Sequence, residues 1–412
     1  MSVLLGGRES LRVCRQSCDG HADLELSQHL ACVKWLAHAC NATVEGAEKG
    51  SKTLLFQPGD IGGGLSPAYT KKKLDSGEQV FEARLDIGTA GATGLALQAI
   101  LPFILFSSFS ADASIPIRLT LSGGTNVSGS PSYEYISQVL LPTLRNIGFD
   151  HLTTALNKRG WSHGGSSIGN LTLDIAPRRT RVLPAFQYGP SHTNVTEPRK
   201  PSHIKATFIA PASCHDHFRT VLLPALRYQF DDEGYTEQNS TLSIDCEDSK
   251  HEKRMYLILV ATIPMSSNTP ASASSYILAR DWLYDRKLRS HERCSTEMAE
   301  RVAKELADEW LSGAFVDEHM RDQLVIFQAL AEGRSEVYAG RDLDDEEQPR
   351  EPSLHARTAE WVANRMLGVK YDDRGGCLGV GFGGEDPRSG DGRDEKKVFD
   401  EVSEGIGRLR TG

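Results

Sequence analysis

The histidine in "EPSLHARTAEWVANRML", residues 351–367, sits between a Pro-Ser turn and an apolar helical pattern. Neutral imidazole is a nucleophile near pH 7, and a phosphoramidate is a reactive carrier of a nucleotidyl group. Such chemistry needs a partner on the other ring nitrogen, so that the correct one faces phosphorus. On pattern alone, an ordinary helix-start histidine is the better explanation of His355. In "HMRDQL", Asp322 and Gln323 set a carboxylate beside an amide, three and four residues after His319. A capped, solvent-facing helix start accounts for the aspartate without any ligand. Gln98 lies inside "GLALQAILPFILF", where a buried amide needs partners unless helical rotation brings it to the surface. Pro131, in "GSPSYEY", shapes a loop. "SGGT" and "HGG" are turns where backbone can approach phosphate. Tight strand-to-helix turns are the commoner reason for such glycines. Arg159 precedes the second turn, and Gln28 and His29 are expected to open a helix, where amide groups favour anions.

These residues must be positioned by a sizeable fold. A chain of 412 residues is long for one compact core, so two domains or one elaborated domain is expected. With 39% hydrophobic and 25% charged residues the composition is globular. The net charge of -9 argues against simple coating of nucleic acid, while leaving room for a local basic cleft. The eight cysteines form no C-x-x-C pair and no zinc-like spacing, and their scatter fits reduced thiols of cytosol or nucleus. "MSVLLGGRES" has too short an apolar stretch for a signal peptide, and residues 94–106 are too few to span a bilayer.

The local patterns alternate. "SQHLACVKWLAHAC" predicts a helix with Ser27 as N-cap and Leu30, Val33, Leu36 and Cys40 on one face. "KTLLFQPG", "FEARLDIG", "IPIRLTLSGG" and "LTLDIAP" read as strands, with helices at 94–106 and in "SYEYISQVLLPTLRNIG". "STEMAERVAKELADEWLSG" predicts a helix capped by Ser295, burying Met298, Val302, Leu306 and Trp310. Between them, "HIKATFIAP", "CHDHFRTVLLPALRYQF" and "RMYLILVATIP" give strand, helix and strand. "GRDLDDEEQPREP" is an acidic loop, and the Gly- and charge-rich chain from 372 is expected to be mobile.

Taken in order, several stretches resemble the RNA 3'-terminal phosphate cyclase family. They are "QHL", "VEGAEKGS", "DIGTAGATGLALQAILPFILF", "RLTLSGGTNVSGSPSYEYISQVLLPTL", "RGWSHGG", "VDEHMRDQL" and "PSLHART". The resemblance implies an α/β fold of three repeated small α/β units around a common axis, with one inserted smaller α/β domain. It places repeats one and two in 1–183, the insert in 184–276, the third repeat with His355 in 277–371 and a tail in 372–412. It also implies an activity: ATP-dependent conversion of an RNA 3'-phosphate end to a 2',3'-cyclic phosphate, in the nucleus, with Mg²⁺. His355 matches the nucleophile that carries AMP. Gln98, Pro131, Asp322 and Gln323 match nucleotide contacts, and His319 stands where an aromatic ring can stack on adenine. Gln28, His29 and Arg159 are the expected contacts to the RNA end.

The resemblance departs at two places. The family's His-x-x-Thr-Asn continues here with Thr358 but Ala359, which has no side-chain hydrogen bond to offer. The Gly-rich segment and following arginines that open relatives have no clear counterpart before "QHL". Both departures fit an alternative, a catalytically inactive cyclase-like protein that acts in ribosome biogenesis and pre-ribosomal RNA processing.

Overall fold

The computed structural model describes residues 11–14, 22–51, 53–59, 65–106, 115–176, 182–190, 199–230, 235, 241–265, 275–345 and 348–383, with backbone alone at 11–14 and 22–26. The chain opens with β1 (Leu11–Cys14), α1 (Ala22–Ala39), β2 (Thr43–Glu45) and β3 (Thr53–Gln57), and these strands form an antiparallel sheet of order β1-β3-β2. Next come β4 (Thr70–Lys73), β5 (Gln79–Asp86), α2 (Thr93–Phe106) and β6 (Ile117–Gly123). A broken helix follows: α3 (Tyr133–Tyr135), a π-helical stretch Ile136–Leu140 and α4 (Leu141–Asn146). With β7 (Leu152–Lys158) and β8 (Gly169–Ile175) they complete a five-stranded sheet of order β4-β5-β6-β8-β7. Strict alternation in β6 buries Ile117, Leu119 and Leu121, as a strand covered mainly on one face requires. Apolar residues on nearly every side of α2 bury most of it, leaving Ala99 exposed and Gln98 half-buried.

β9 (Gln187–Tyr188) is followed by β10 (His203–Ala210), α5 (His215–Phe230), β11 (Leu242–Asp248), β12 (Tyr256–Pro264), β13 (Ser275–Leu283) and α6 (His291–Leu311). These four later strands form one sheet of order β11-β10-β12-β13. The near-continuous apolar run of β12 is buried except at Thr262 and Pro264; α6 packs on the sheet, Ser132 at the start of the broken helix meets Tyr256 of β12, and Gln138 meets Thr207 of β10. The chain then forms α7 (Glu318–Leu330), β14 (Glu332–Val337), α8 (Leu354–Leu367) and β15 (Gly376–Val380), giving a sheet of order β15-β14-β9.

The fold is α/β, and one unit recurs. In β5-α2-β6 a parallel strand pair is followed by a helix and then by an antiparallel partner, β8. In β9, α7 and β14 the same parallel pair recurs, followed by α8 and antiparallel β15. The sheet β1-β3-β2 shows only antiparallel pairs among the described residues.

Several boundaries differ from expectation. The nine-residue pairing of β12 with β13, and α6 packed on both, carry the inserted unit well past 276, which falls inside β13. Chain from 372 is not all tail, since β15 pairs with β14 despite two glycines. Residues 384–412 lie outside the described residues. Helix α1 begins at Ala22, so Ser27 is internal and Gln28 and His29 lie in its second turn. Helix α6 is capped by Ser290, whose side chain accepts from the Arg293 N–H; Ser295 is buried inside and donates back to the His291 carbonyl at 2.7 Å. Met298, Val302, Leu306 and Trp310 form its buried stripe as expected.

Candidate active site

Two helix starts meet at the site. Asp317 caps α7, its Oδ1 accepting the Met320 N–H at 2.9 Å and the Tyr135 hydroxyl at 2.6 Å, while Oδ2 accepts the Ala279 N–H at 3.1 Å. This fully buried carboxylate therefore ties α7 to α3 and β13. Ser353 caps α8 by accepting the Ala356 N–H at 3.1 Å, which puts His355 in the first turn. The two helices pack side by side through Val325, Ala329 and Ala363, with Ala359 against the same cluster.

This packing brings His355 to Asp322. Its Nδ1 lies 3.8 Å from Asp322 Oδ2; the imidazole side chain is 80% exposed and the carboxylate only 12%. The distance is longer than a direct hydrogen bond and suits an ion pair or one bridging water. Gln323 is buried and donates from Nε2 to the other Asp322 oxygen at 3.1 Å, so this amide serves the carboxylate. Burial pushes the Asp322 carboxyl up to about 6, against the opposing pull of His319, His355 and the Gln323 hydrogen bond. His319 is exposed, stands edge-on to Tyr135 with centroids 6.1 Å apart, and has Nε2 3.4 Å from Arg280 Nη1. Because guanidinium only donates, this Nε2 is the acceptor and Nδ1 carries any proton of the neutral ring.

Pro131 joins from the other side. A Cβ on Gly94, at the start of α2, would collide with the Pro131 carbonyl, so only glycine lets these backbones meet. The next residue, Ser132, caps α3 and shares a 2.6 Å hydrogen bond with Tyr256. Gln98 lies one turn beyond Gly94 on the same side of α2, half-buried, with no side-chain hydrogen bond among the described residues. The structure thus links Pro131 to His319 through Tyr135, and His319 to His355 through Asp322. It shows no direct contact of Gln98 with either histidine. A groove lined by Arg334, Leu367, Tyr371, Asp372 and Leu378 lies at the opposite end of α8 and includes none of these side chains.

A family model described as RNA 3'-terminal phosphate cyclase matches residues 26–372. The chain belongs to the RNA 3'-terminal phosphate cyclase family. Its cyclase-family span covers both helix starts and the inserted sheet.

The residues expected to meet RNA are placed differently from the histidine pair. Gln28 is buried in α1, where its Oε1 accepts the Ala92 N–H at 2.6 Å and so pins the loop before α2. His29 is exposed on the same helix. Arg159 is held by a bidentate pair with Glu247, both distances 2.6 Å, and by Glu134 at 2.7 Å. It therefore joins the five-stranded sheet's unit to the edge of the inserted sheet. The "SGGT" glycines serve packing: a Cβ on Gly123 or Gly124 would run into the backbone of Gly91 or Ala90. Among the described residues no group of three or more His, Cys, Asp or Glu side chains is arranged to hold a metal ion, and no helix is long and apolar enough to cross a membrane.

Residue patterns did not reveal Arg280, Glu309, Glu318 and Arg350, which stand behind both helix starts. They come from three separate elements and a loop, and no local spacing connects them.

Proposed function

We propose that this chain is an ATP-dependent RNA 3'-phosphate cyclase, acting in the nucleus, with His355 as the nucleophile. The observation that carries this reading is the exposed His355 imidazole with Asp322 on its Nδ1 side. That arrangement leaves Nε2 facing outward as the attacking atom. In the first step Nε2 forms a bond to the α-phosphorus of ATP and the bond to pyrophosphate breaks. The charge that develops on the ring is balanced by Asp322 across the Nδ1 proton. An oxygen of the RNA 3'-phosphate then takes AMP, breaking the P–N bond and freeing the imidazole. The neighbouring 2'-hydroxyl, losing its proton to solvent, attacks the RNA 3'-phosphorus; the bond from that phosphorus to the oxygen shared with AMP breaks, AMP leaves with that oxygen, and the cyclic phosphate closes.

The exposed His319 ring offers a face to adenine, Asp322 or Gln323 a polar edge to the ribose, and Pro131 and Gln98 a wall beside α2. Mg²⁺ would be held largely by the phosphates, as this ion commonly is, with at most one or two protein carboxylates. RNA carrying a 3'-phosphate is the polymeric substrate. The test is labelling of the protein with ATP radiolabelled at the α-phosphate, in the presence of Mg²⁺. Wild-type protein should acquire covalent AMP and His355→Ala should not. Folded wild-type protein that stays unlabelled refutes the activity.

The second reading, a non-catalytic RNA-binding role in ribosome assembly, draws support from one observation. Arg159, the guanidinium expected at the RNA end, is already occupied by two carboxylates. Copurification of pre-ribosomal RNA irrespective of ATP would favour it.

A further inference from the structure

Four charged side chains behind the two helix starts take part in no step of the proposed reaction. Glu309, in the last turn of α6, has no exposed side-chain surface. Its Oε1 pairs with Arg280 Nη2, and its Oε2 accepts from Arg350 Nη1 at 2.6 Å. Glu318, the first residue of α7, accepts from Arg280 Nη2 at 2.8 Å and lies 3.7 Å from Arg350 Nη2. The Glu318 N–H in turn donates to Glu309 Oε1 at 3.3 Å. Two cations and two anions thus close into one neutral cluster. Removing one buried member leaves a charge without compensation, so the cluster locks its members in place.

The cluster has two arms. On one side, Arg280 Nη1 lies 3.4 Å from His319 Nε2. On the other, the Arg350 backbone is fixed twice: its N–H donates to the Gly340 carbonyl at 3.0 Å, and its carbonyl accepts from Arg321 Nη1 at 3.1 Å. Arg321 is the neighbour of Asp322, and three residues beyond Arg350 lies Ser353, the cap of α8. The only covalent route into the first turn of α8 from this side therefore passes through a residue held by Glu309.

We propose that Glu309 is a positioning residue that sets His319 and His355 relative to each other, through Arg280 on one side and Arg350 on the other. The proposal rests on the nucleotidyl-transfer reading for its kinetic consequences and on geometry alone for its structural ones. Arg280→Gln should weaken ATP binding, raising KM with kcat for AMP transfer to the protein little changed. Arg350→Gln should lower kcat by roughly tenfold to a hundredfold with KM little changed, as a small misplacement of a reacting atom does. Glu309→Gln should move both. Arg350→Lys, which keeps the charge, should recover part of the loss. If Glu309→Gln does not fold, the single arginine variants carry the test, since each leaves Glu318 and one cation in place.

A second readout needs no activity. Modification of each histidine by diethyl pyrocarbonate, followed by peptide mass spectrometry, reports the surroundings of each ring. Arg280→Gln should change the rate at His319 and not at His355; Arg350→Gln should do the reverse. Selective changes support the proposal. Variants that lower the melting temperature yet leave KM, kcat and both modification rates as in wild type overturn it, as do equal effects of both arginine variants on both rings. Should the wild type fail to take up AMP, the nucleotidyl-transfer reading falls, and the modification rates still decide whether Glu309 positions the two rings.

Discussion

Two charged regions of this molecule look alike in composition and differ in how completely their groups are satisfied. At the junction with the inserted sheet, Asn126, Glu134, Arg159 and Glu247 form a closed network: Arg159 meets both carboxylates and Asn126, and Asn126 donates to Glu134 at 3.1 Å. At the starts of α7 and α8, Asp322 has one amide donor and a histidine at 3.8 Å, and His355 stands open to solvent. A saturated network holds two units together. An unsaturated one leaves an acid–base pair free to act on something else. Residue type alone would have assigned Arg159 and His355 equally to RNA chemistry, and the hydrogen-bond inventory separates them.

The largest expected effect tests the open region. His355→Ala should abolish covalent AMP labelling, a loss of at least about a thousandfold for a nucleophile. Its melting temperature should match wild type closely, because the ring is exposed and buries little apolar surface. A labelled His355→Ala protein would move the chemistry to another residue and dissolve the contrast.

Next comes the closed region. Glu134 is buried, and Glu134→Ala leaves Arg159 with the half-exposed Glu247 as its one carboxylate partner, while the Asn126 Nδ2 donor loses its acceptor. A cost of about 2–3 kcal/mol is expected, under the full value for a wholly buried pair because Glu247 remains. Denaturant unfolding measures it. AMP labelling per folded molecule should stay as in wild type. A drop in labelling without a drop in stability would show that the junction takes part in the reaction.

Much of this contrast was legible in the sequence, and the illegible part has a physical cause. The candidate residues His355, Asp322, Gln323 and His319 fall in two short stretches, each at the start of a helix, so a resemblance carried by short stretches could single them out together. Met298, Val302, Leu306 and Trp310 announced the buried face of α6 by their spacing. Ser27 and Ser295 imitate caps, whereas the backbone of α1 is already helical from Ala22 and α6 starts at His291, where Ser290 is the cap and Ser295 turns its hydroxyl back to the His291 carbonyl. β14 and β15 carry glycines and charges that read as loop, and they become strands only by pairing with each other and with β9. The same non-locality hid the Arg280, Glu309 and Arg350 cluster, and it hid Glu134 and Glu247 as the partners of Arg159.

A smaller effect sharpens the account of Asp322. Its carboxyl titrates at about 6 in the folded protein, against about 4 in an unfolded chain. The unfolded chain therefore gives up its proton first. The contribution of Asp322 to stability is therefore most favourable below about pH 4, declines as pH rises to about 6 and stays lower above it. Asp322→Asn should accordingly raise the unfolding free energy at pH 7, by an amount on the order of 1–3 kcal/mol measured in denaturant, and lose that advantage near pH 4. Its AMP labelling should fall by about tenfold to a hundredfold. In wild type Asp322 should add to the decline of the labelling rate below about pH 6 as it becomes neutral, and the variant's profile should lack that added decline. Stability gained with activity lost would be the signature of a buried charge kept for function.

The smallest effect concerns Ala359, one helical turn after His355. It packs against the apolar contact of Val325, Ala329 and Ala363 between α7 and α8. An amide there would bring two donors and an acceptor into that contact, at a cost of about 1–2 kcal/mol if no partner is found. Ala359→Asn should therefore lower the melting temperature slightly and leave AMP labelling within about twofold of wild type, because Asp322 already attends Nδ1 of His355. A large gain in labelling would mean that a carboxylate 3.8 Å away does not hold the imidazole firmly enough, and that this helix interface has exchanged part of its catalytic support for packing. The same variant would then bring the open region closer to the closed one, by giving the site the hydrogen bond that the junction has around Arg159.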